Sequence, residues 1–208
     1  MSRPALLLAC ALLAMPALPA FAQDDPHAGH TVQAPAQPVA AEPVQLDIPD
    51  VTVLDEEGNT LRFYSDLVKG RVVAVNFLFT NCTTICPPLG ATFGKLRKLL
   101  GERAGRDVHL ISISVDPTND TPARLKAWSA KFGQGPGWHL VTGERDEIVR
   151  LLKALGAYTA DPNSHPPLVL VGDDARHTWT RAYGLAPPAK LAALIDQIAG
   201  TASPGGAP

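Results

Sequence analysis

The clearest chemistry in the sequence lies in two cysteines, Cys82 and Cys86, which three residues separate and a proline follows. The pair comes directly after an apolar run over 72–79, which predicts a buried strand, and before a segment that predicts a helix. A thiol at the start of a helix gains from the helix dipole and from free backbone N–H groups, because both stabilise the thiolate. Side chains four positions apart share one face of a helical turn, so both sulfurs can point at one ligand.

The spacing of the pair narrows its chemistry without deciding it. Thioredoxin-type redox motifs have two residues between the cysteines, whereas this chain has three, which widens the chelate. A structural disulfide across so short a loop constrains little chain and therefore stabilises little. Two thiolates are soft donors that suit Cu(I), zinc or an iron–sulfur cluster, but a structural zinc site needs four ligands, usually from two such pairs. A metal site here must take its third ligand from among the six histidines.

His165 is the best candidate for that third ligand. It lies in the loop 161–167, directly before an apolar run at 168–171 that predicts a strand, and the two prolines after it stiffen the loop. In a thioredoxin-like sheet, the loop before that strand faces the cysteines. The other histidines favour different roles. Surface or structural positions are predicted for His109, His139 and His177, and a solvated or only transiently metal-binding pair in a tail for His27 and His30.

The elements that must position these residues follow from apolar periodicity and from turn residues. A hairpin is predicted over 51–63, and the strand that leads to the cysteines follows it. Pro87 and Pro88 suit the first turn of a helix to Leu100. Further along the chain, strands are predicted at 108–115, 138–141, 168–171 and 178–182, and helices at 120–132, 143–155 and 187–198. This order predicts an α/β fold, with a thioredoxin-like mixed sheet flanked by helices and an N-terminal β-hairpin.

Composition and charge limit the classes of partner. The chain has 208 residues, which suits one domain with extensions at its ends. A net charge of −2 and a charged content of 18% give no electrostatic case for binding nucleic acid or an acidic membrane surface. We therefore expect no nucleic-acid partner.

The first residues predict export. A weakly basic start, an apolar stretch broken by Pro16 and small residues before Gln23 form a signal pattern, and cleavage there would remove Cys10. The predicted organisation is a signal peptide over 1–22, a disordered linker over 23–47, a thioredoxin-like domain over 48–200 and a disordered tail over 201–208. We expect an exported, periplasmic protein, with an uncleaved membrane anchor or lipidation of Cys10 as alternatives.

Three segments of the sequence together resemble the SCO/SenC family. They read FLFTNCTTICP at 77–87, SISVDP at 112–117 with DTP at 120–122, and WHLVTG at 138–143. They occur in the order that the family shows, and the resemblance extends over about residues 48–198.

The resemblance implies a thioredoxin-like fold that binds one copper ion, Cu(I) or Cu(II), through Cys82, Cys86 and a distant histidine, which His165 matches. It implies a role in assembling the dinuclear copper centre of cytochrome oxidase. The partners would be the copper-accepting oxidase subunit and another periplasmic copper chaperone or a thiol reductant. The family usually has Asp-His-Ser where this chain has Asn-Ser-His. Asp116 and Asp120 match acidic family positions, although a strand end and a helix cap also account for them.

Three functions are open from the sequence. The first is a copper-binding metallochaperone, because two thiolates and one imidazole leave the coordination of copper incomplete and open to exchange. The second is a thiol–disulfide oxidoreductase in which Cys82 and Cys86 are the catalytic pair. These two are compatible, since only the reduced pair binds Cu(I), and only the second makes the chain an enzyme. The third is a peroxidase that uses one cysteine, as in related folds.

Overall fold

An eight-stranded mixed sheet forms the centre of the computed structural model, which describes residues 41–183 and 185–200. Apolar residues alternate between the two faces of the central strands, as a sheet covered on both sides requires. The strands are β1 Ala41–Val44, β2 Thr52–Asp55, β3 Thr60–Arg62, β4 Val72–Leu78, β5 Val108–Ser114, β6 Trp138–Thr142, β7 Leu168–Asp173 and β8 Thr178–Tyr183.

The strand order β1-β8-β7-β4-β5-β6-β2-β3 brings the candidate site residues to one end of the sheet. Strands β4, β5 and β6 are parallel, so the loops after them leave at the same end. Strand β7 runs antiparallel to β4, with Asn76 opposite Val169. The start of β7, which follows His165, therefore lies beside the end of β4, which leads to Cys82.

Helices cover both faces of the sheet. They are α1 Cys86–Leu100, α2 Pro122–Ala130, α3 Arg145–Ala154 and α4 Pro188–Ile198. On one face, Ala74 and Leu78 of β4 lie in a core shared with α1, α2 and α4, and on the other, Val73 and Val75 lie in a core shared with α3. The prediction of an α/β mixed sheet flanked by helices is confirmed, and β2 and β3 form the predicted hairpin.

The close packing of α1 against the end of α2 depends on a glycine. A Cβ atom at Gly94 would lie 2.0 Å from the backbone oxygen of Phe132, whereas real Cβ atoms essentially never approach another heavy atom within 3.0 Å. Gly90, one turn earlier, faces the rings of Trp128 and Phe132 in the same way. Because α1 begins at Cys86, this contact also fixes the helix that carries the second cysteine.

The prediction of a disordered linker over 23–47 is wrong for its last residues. Ala41–Val44 forms β1, which pairs antiparallel with β8 from Ala41 opposite Ala182 to Val44 opposite Trp179. Pro43 obscured this strand in the sequence, but an edge strand tolerates proline because only one side of it is hydrogen-bonded. The segments 1–40 and 201–208 lie outside the described residues, so the signal, the tail, Cys10 and both tail histidines do too. Within the described part of the chain, every helix is too short or too polar to cross a membrane.

Candidate metal centre

The two cysteines meet where the loop after β4 enters α1. Cys86 is the first residue of α1, and its backbone N–H donates a hydrogen bond to the Cys82 sulfur at 3.3 Å. The backbone N–H of Cys82 donates to the Phe79 oxygen at 3.2 Å, which closes a turn at the end of β4. Both cysteines are free thiols, and Cys86 is fully buried whereas Cys82 keeps 9% of its surface exposed. The pair is therefore a reduced dithiol in this structure.

The pKa values of the two thiols are shifted in opposite directions. Burial acts to raise the pKa of Cys82, but hydrogen bonds from Cys86 and Thr84 together outweigh burial and hold that pKa below its ordinary value. Burial, reinforced by the hydrogen bond that its own thiol donates to Cys82, raises the pKa of Cys86 to about 12. The negative charge of Asp120 acts in the same direction on Cys86. Cys82 is therefore the more acidic thiol of the pair, and Cys86 is the thiol that retains its proton.

His165 lies at the same end of the sheet, against the residue that precedes the cysteine loop. Its ring meets the ring of Phe79 edge to face, with centroids 6.1 Å apart. The side chain is 6% exposed, and its Nε2 atom is buried without a hydrogen-bond partner among the described residues. Burial lowers the pKa of His165, so its imidazole is neutral at pH 7. A neutral, buried imidazole with a free nitrogen is chemically suited to bind a transition-metal ion.

The three predicted ligands are not yet gathered around one point. Within the described residues, no three histidine, cysteine, aspartate or glutamate side chains lie close enough to hold a metal ion. The Cys82–Cys86 pair is formed, but His165 rests on Phe79. It follows a short 3-10 helix, Pro162–Ser164, whose start is capped by the carboxylate of Asp161. Coordination by all three residues therefore requires a rearrangement that brings His165 and the two sulfurs together.

The two aspartates that match family positions have different surroundings. Asp116 is half-buried, and its carboxylate accepts from the side chain of Asn119 at 2.8 Å. Asp120 is not the cap of α2, because Thr121 accepts the hydrogen bond from the Arg124 N–H instead. The carboxylate of Asp120 turns inward and accepts from Thr80, two residues before Cys82.

Sequence reasoning missed the role of Thr80 and of Arg124. The sequence indicates no partner for Thr80, which lies within the cysteine motif, and it predicts only an ordinary helical position for Arg124. Arg124 donates to Thr80 and to the side-chain oxygen of Asn81. These partners lie more than 40 residues apart in the chain, so no local pattern reveals them. Asp120, which lies directly before Thr121 and Pro122, was the residue that could have indicated these contacts.

The remaining described histidines lie elsewhere. His109 is half-buried near the start of β5, opposite Val73 at the start of β4, which is the end of the sheet away from the cysteines. Burial lowers its pKa, and the nearby Arg71 and His139 lower it further. His177 is exposed in the turn between β7 and β8. Their positions agree with surface or structural roles.

Comparison with known proteins identifies the family. The model of the SCO1/SenC family matches residues 48–198, so the chain belongs to that family. It is 33% identical over 144 residues to the SCO1 protein homolog of Bacillus subtilis, which covers 65% of this chain and 73% of the relative. It is also 32% identical over 117 residues to a protein of Stutzerimonas stutzeri that is provisionally named as copper-binding, covering 55% of this chain and 54% of that one.

A solved structure agrees with this assignment. The structure of BsSco superposes with a TM-score of 0.63 at 29% identity, covering 76% of this chain and 96% of BsSco. BsSco is described as a member of the Sco family of cytochrome c oxidase assembly proteins, and as carrying a disulfide switch. The family resemblance of the three sequence segments is thereby confirmed, together with the thioredoxin-like fold.

Proposed function

We propose that this protein is a copper-binding metallochaperone that assists the assembly of the dinuclear copper centre of cytochrome c oxidase. One observation carries the proposal: Cys82 and Cys86 form a free dithiol at the start of α1, with the Cys82 sulfur on the Cys86 N–H. Thiolate sulfur is the donor that Cu(I) prefers. The provisional name of the Stutzerimonas relative and the description of BsSco support the same reading.

His165 is the proposed third ligand. Its unpartnered Nε2 supports this role, because a buried polar nitrogen normally has a hydrogen-bond partner. Cu(II) would depend on the imidazole more than Cu(I) does, since imidazole is the harder donor. With three protein ligands the copper ion stays open to a ligand from a recipient protein, and this openness allows transfer.

Proton release accompanies binding. Cys86 holds its proton at pH 7, because burial raises its pKa to about 12. Capture of copper by both sulfurs therefore displaces that proton, and affinity is expected to fall as the pH falls. Cys82 needs less help, since hydrogen bonds already favour its thiolate.

A titration with Cu(I) tests the proposal. The reduced protein is titrated in competition with a Cu(I) chelator, and the variants Cys82→Ala, Cys86→Ala and His165→Ala are compared with it. The cysteine variants are expected to lose affinity at least about a hundredfold, since each loses one of two thiolates. His139→Ala is the matched control and should bind as the original chain does. Unchanged affinity in both cysteine variants would refute the assignment.

A second function, thiol–disulfide exchange on cysteines of the oxidase subunit or of other exported proteins, is favoured by the acidity difference within the pair. The lowered pKa of Cys82 beside the raised pKa of Cys86 makes Cys82 the sulfur that attacks first, while Cys86 keeps its proton. The disulfide switch described for BsSco supports this alternative. Exchange with glutathione should survive His165→Ala, whereas copper delivery should not.

The proposed location is the periplasm, reached through the predicted signal over 1–22. The proposed partners are the copper-accepting subunit of the oxidase and a further copper chaperone or a thiol reductant that prepares the pair. Intact mass of protein recovered from the periplasm tests the signal: a chain beginning at Gln23 supports cleavage. A mass that includes the first 22 residues or a lipid on Cys10 selects one of the anchored alternatives.

A further inference from the structure

A buried carboxylate holds the first residue of the cysteine loop. Asp120 is 1% exposed. One of its oxygens accepts from the hydroxyl of Thr80 at 2.5 Å, and the same oxygen accepts from the Thr80 N–H at 3.1 Å. Its other oxygen accepts from the hydroxyl of Ser114 at 2.7 Å, at the end of β5. Hydrogen bonds to a charged group are the strong ones, so this carboxylate ties the cysteine loop to the loop after β5.

Arg124 adds a second tie from α2. Its Nε donates to the Thr80 hydroxyl at 3.2 Å, and its Nη2 donates to the side-chain oxygen of Asn81 at 2.5 Å. The Thr80 hydroxyl thus accepts from Arg124 and donates to Asp120. We call these three residues the Thr80 clamp. Within the described residues, every side-chain hydrogen bond that links residues 80–81 to another segment runs to Asp120 or Arg124.

The clamp acts on the position of a sulfur that it does not touch. Thr80 follows Phe79, whose backbone oxygen accepts from the Cys82 N–H, and Cys82 in turn accepts from the Cys86 N–H. These bonds form one continuous series from the clamp to the start of α1. Fixing Thr80 and Asn81 therefore fixes the turn that places the Cys82 sulfur over the first N–H of the helix.

We infer that Asp120 is a positioning residue that acts through Thr80 to hold Cys82 in register with Cys86, so that metal capture and disulfide closure both depend on the clamp. The inference rests on the proposed function for its copper arm and extends it to residues outside the ligand set. Loss of the hydrogen bonds between Thr80 and the buried carboxylate of Asp120 is expected to lower the effective concentration of the Cys82 thiol at Cys86 by about tenfold or more.

Substitutions at Thr80 test the inference with little change of volume. Thr80→Val removes both hydroxyl bonds of the clamp, and Thr80→Ser keeps the hydroxyl. Asp120→Asn removes the charge. Asp173→Asn is the matched control, because Asp173 is also a buried aspartate, 7% exposed, but it caps the turn at the opposite end of β7.

Two measurements are made on the full chain, and urea unfolding verifies that each variant is folded. In the first, the metal-free protein is equilibrated with reduced and oxidised glutathione. The two thiols lose two protons and two electrons to form the Cys82–Cys86 disulfide, and one oxidised glutathione becomes two reduced ones. In the second, Cu(I) affinity is measured against a competing chelator.

For Thr80→Val and Asp120→Asn, we expect a fall of about tenfold in the equilibrium constant for disulfide formation and in the affinity for Cu(I). Thr80→Ser and Asp173→Asn should stay within about twofold of the original chain. Values for Thr80→Val that match the original chain, or an equal loss in Asp173→Asn, would overturn the inference. If Asp120→Asn does not fold, the comparison of Thr80→Val with Thr80→Ser decides. If even the original chain binds no Cu(I), the proposed function fails, while the glutathione equilibrium still tests the clamp.

Discussion

Alkylation of the two thiols tests the acidity difference on which the site chemistry depends. The perturbation is a small excess of iodoacetamide added to the reduced, folded protein at pH 7. Only the thiolate reacts, so the rate at each sulfur depends on its ionised fraction and on the nucleophilicity of its thiolate. The structure predicts that Cys82 is modified first and that Cys86 remains a free thiol until Cys82 is consumed.

The magnitude follows from the raised pKa of Cys86 and from the upper bound on the pKa of Cys82. The pKa of Cys82 lies below the ordinary thiol value of 9.0, and that of Cys86 is raised to about 12. A thiol with a pKa near 12 is ionised to about one part in 10⁵ at pH 7, whereas one with a pKa below 9 is ionised at least about a thousandfold more. The thiolate of the less acidic thiol is the stronger nucleophile, with a Brønsted coefficient of about 0.4–0.5, so the expected rate ratio is at least about thirtyfold. The complete burial of Cys86 hinders the reagent as well and increases the ratio.

The assay is quenched alkylation followed by peptide mass mapping, with the rate at each cysteine taken from its modified fraction. Cys82→Ser serves as the control, since burial is the largest cause of the raised pKa of Cys86 and persists in that variant. Cys86 should therefore stay slow even when it is the remaining thiol of the pair. Equal rates at the two sulfurs, or faster modification of Cys86, would refute the assignment of thiolate and thiol.

Three further predictions concern stability. Gly94→Ala should destabilise the fold by at least about 1–3 kcal/mol in urea unfolding, because the new Cβ would overlap the Phe132 carbonyl. Burial lowers the pKa of His165, so the unfolded chain binds a proton more readily. The contribution of His165 to the free energy of unfolding is therefore fully present above about pH 6.5 and is lost as the pH falls through the lowered pKa. His165→Leu should reduce that acid loss. Trp138→Phe should cost at least about 1 kcal/mol, because it removes the indole hydrogen bond to Ser112 at 2.9 Å and leaves a void at a side chain that is 1% exposed.

Two control variants separate these effects from a non-specific loss of stability. Leu99→Ala alters an exposed residue of the same helix as the glycine variant, and it should change the free energy of unfolding by less than about 0.5 kcal/mol. His177→Leu, at an exposed turn, should leave the acid loss as it is in the original chain. An identical pH profile for both histidine variants would contradict the buried, neutral state of the imidazole.

The fold was predictable where apolar periodicity and turn residues agree. The strand before the cysteines and the helix after them were predicted to within one residue, since a continuous apolar run and paired prolines mark the join. Strand β1 was missed because AEPV shows no apolar alternation, and its order comes from pairing with β8. The turn of π-helix at Phe63–Val68 was also missed, because its first residue reads as the end of a hairpin strand.

The site was predictable as a set of residue types but not as a geometry. The spacing of the cysteines showed that they could share a helical face, and the structure places Cys82 on the N–H of Cys86. The difference in their acidity could not be predicted, because it depends on burial and on which sulfur donates the hydrogen bond. The inward turn of Asp120 was hidden for a similar reason, since Thr121 took the capping role that the sequence also allowed for the aspartate.

The burial of Cys86 behind Cys82 gives any exchange at this site a direction. A disulfide of another molecule finds exposed surface on Cys82 and none on Cys86, so exchange begins at the Cys82 sulfur, which bonds to one sulfur of that disulfide while the other sulfur leaves as a thiol. The Cys86 thiol then attacks Cys82 in this mixed disulfide, which forms the Cys82–Cys86 disulfide and releases the second partner sulfur as a thiol. A chain in which Cys86 is replaced by serine lacks that expulsion step. Its mixed disulfide with a disulfide-containing partner would therefore persist at Cys82, so that the complex can be isolated and the partner identified.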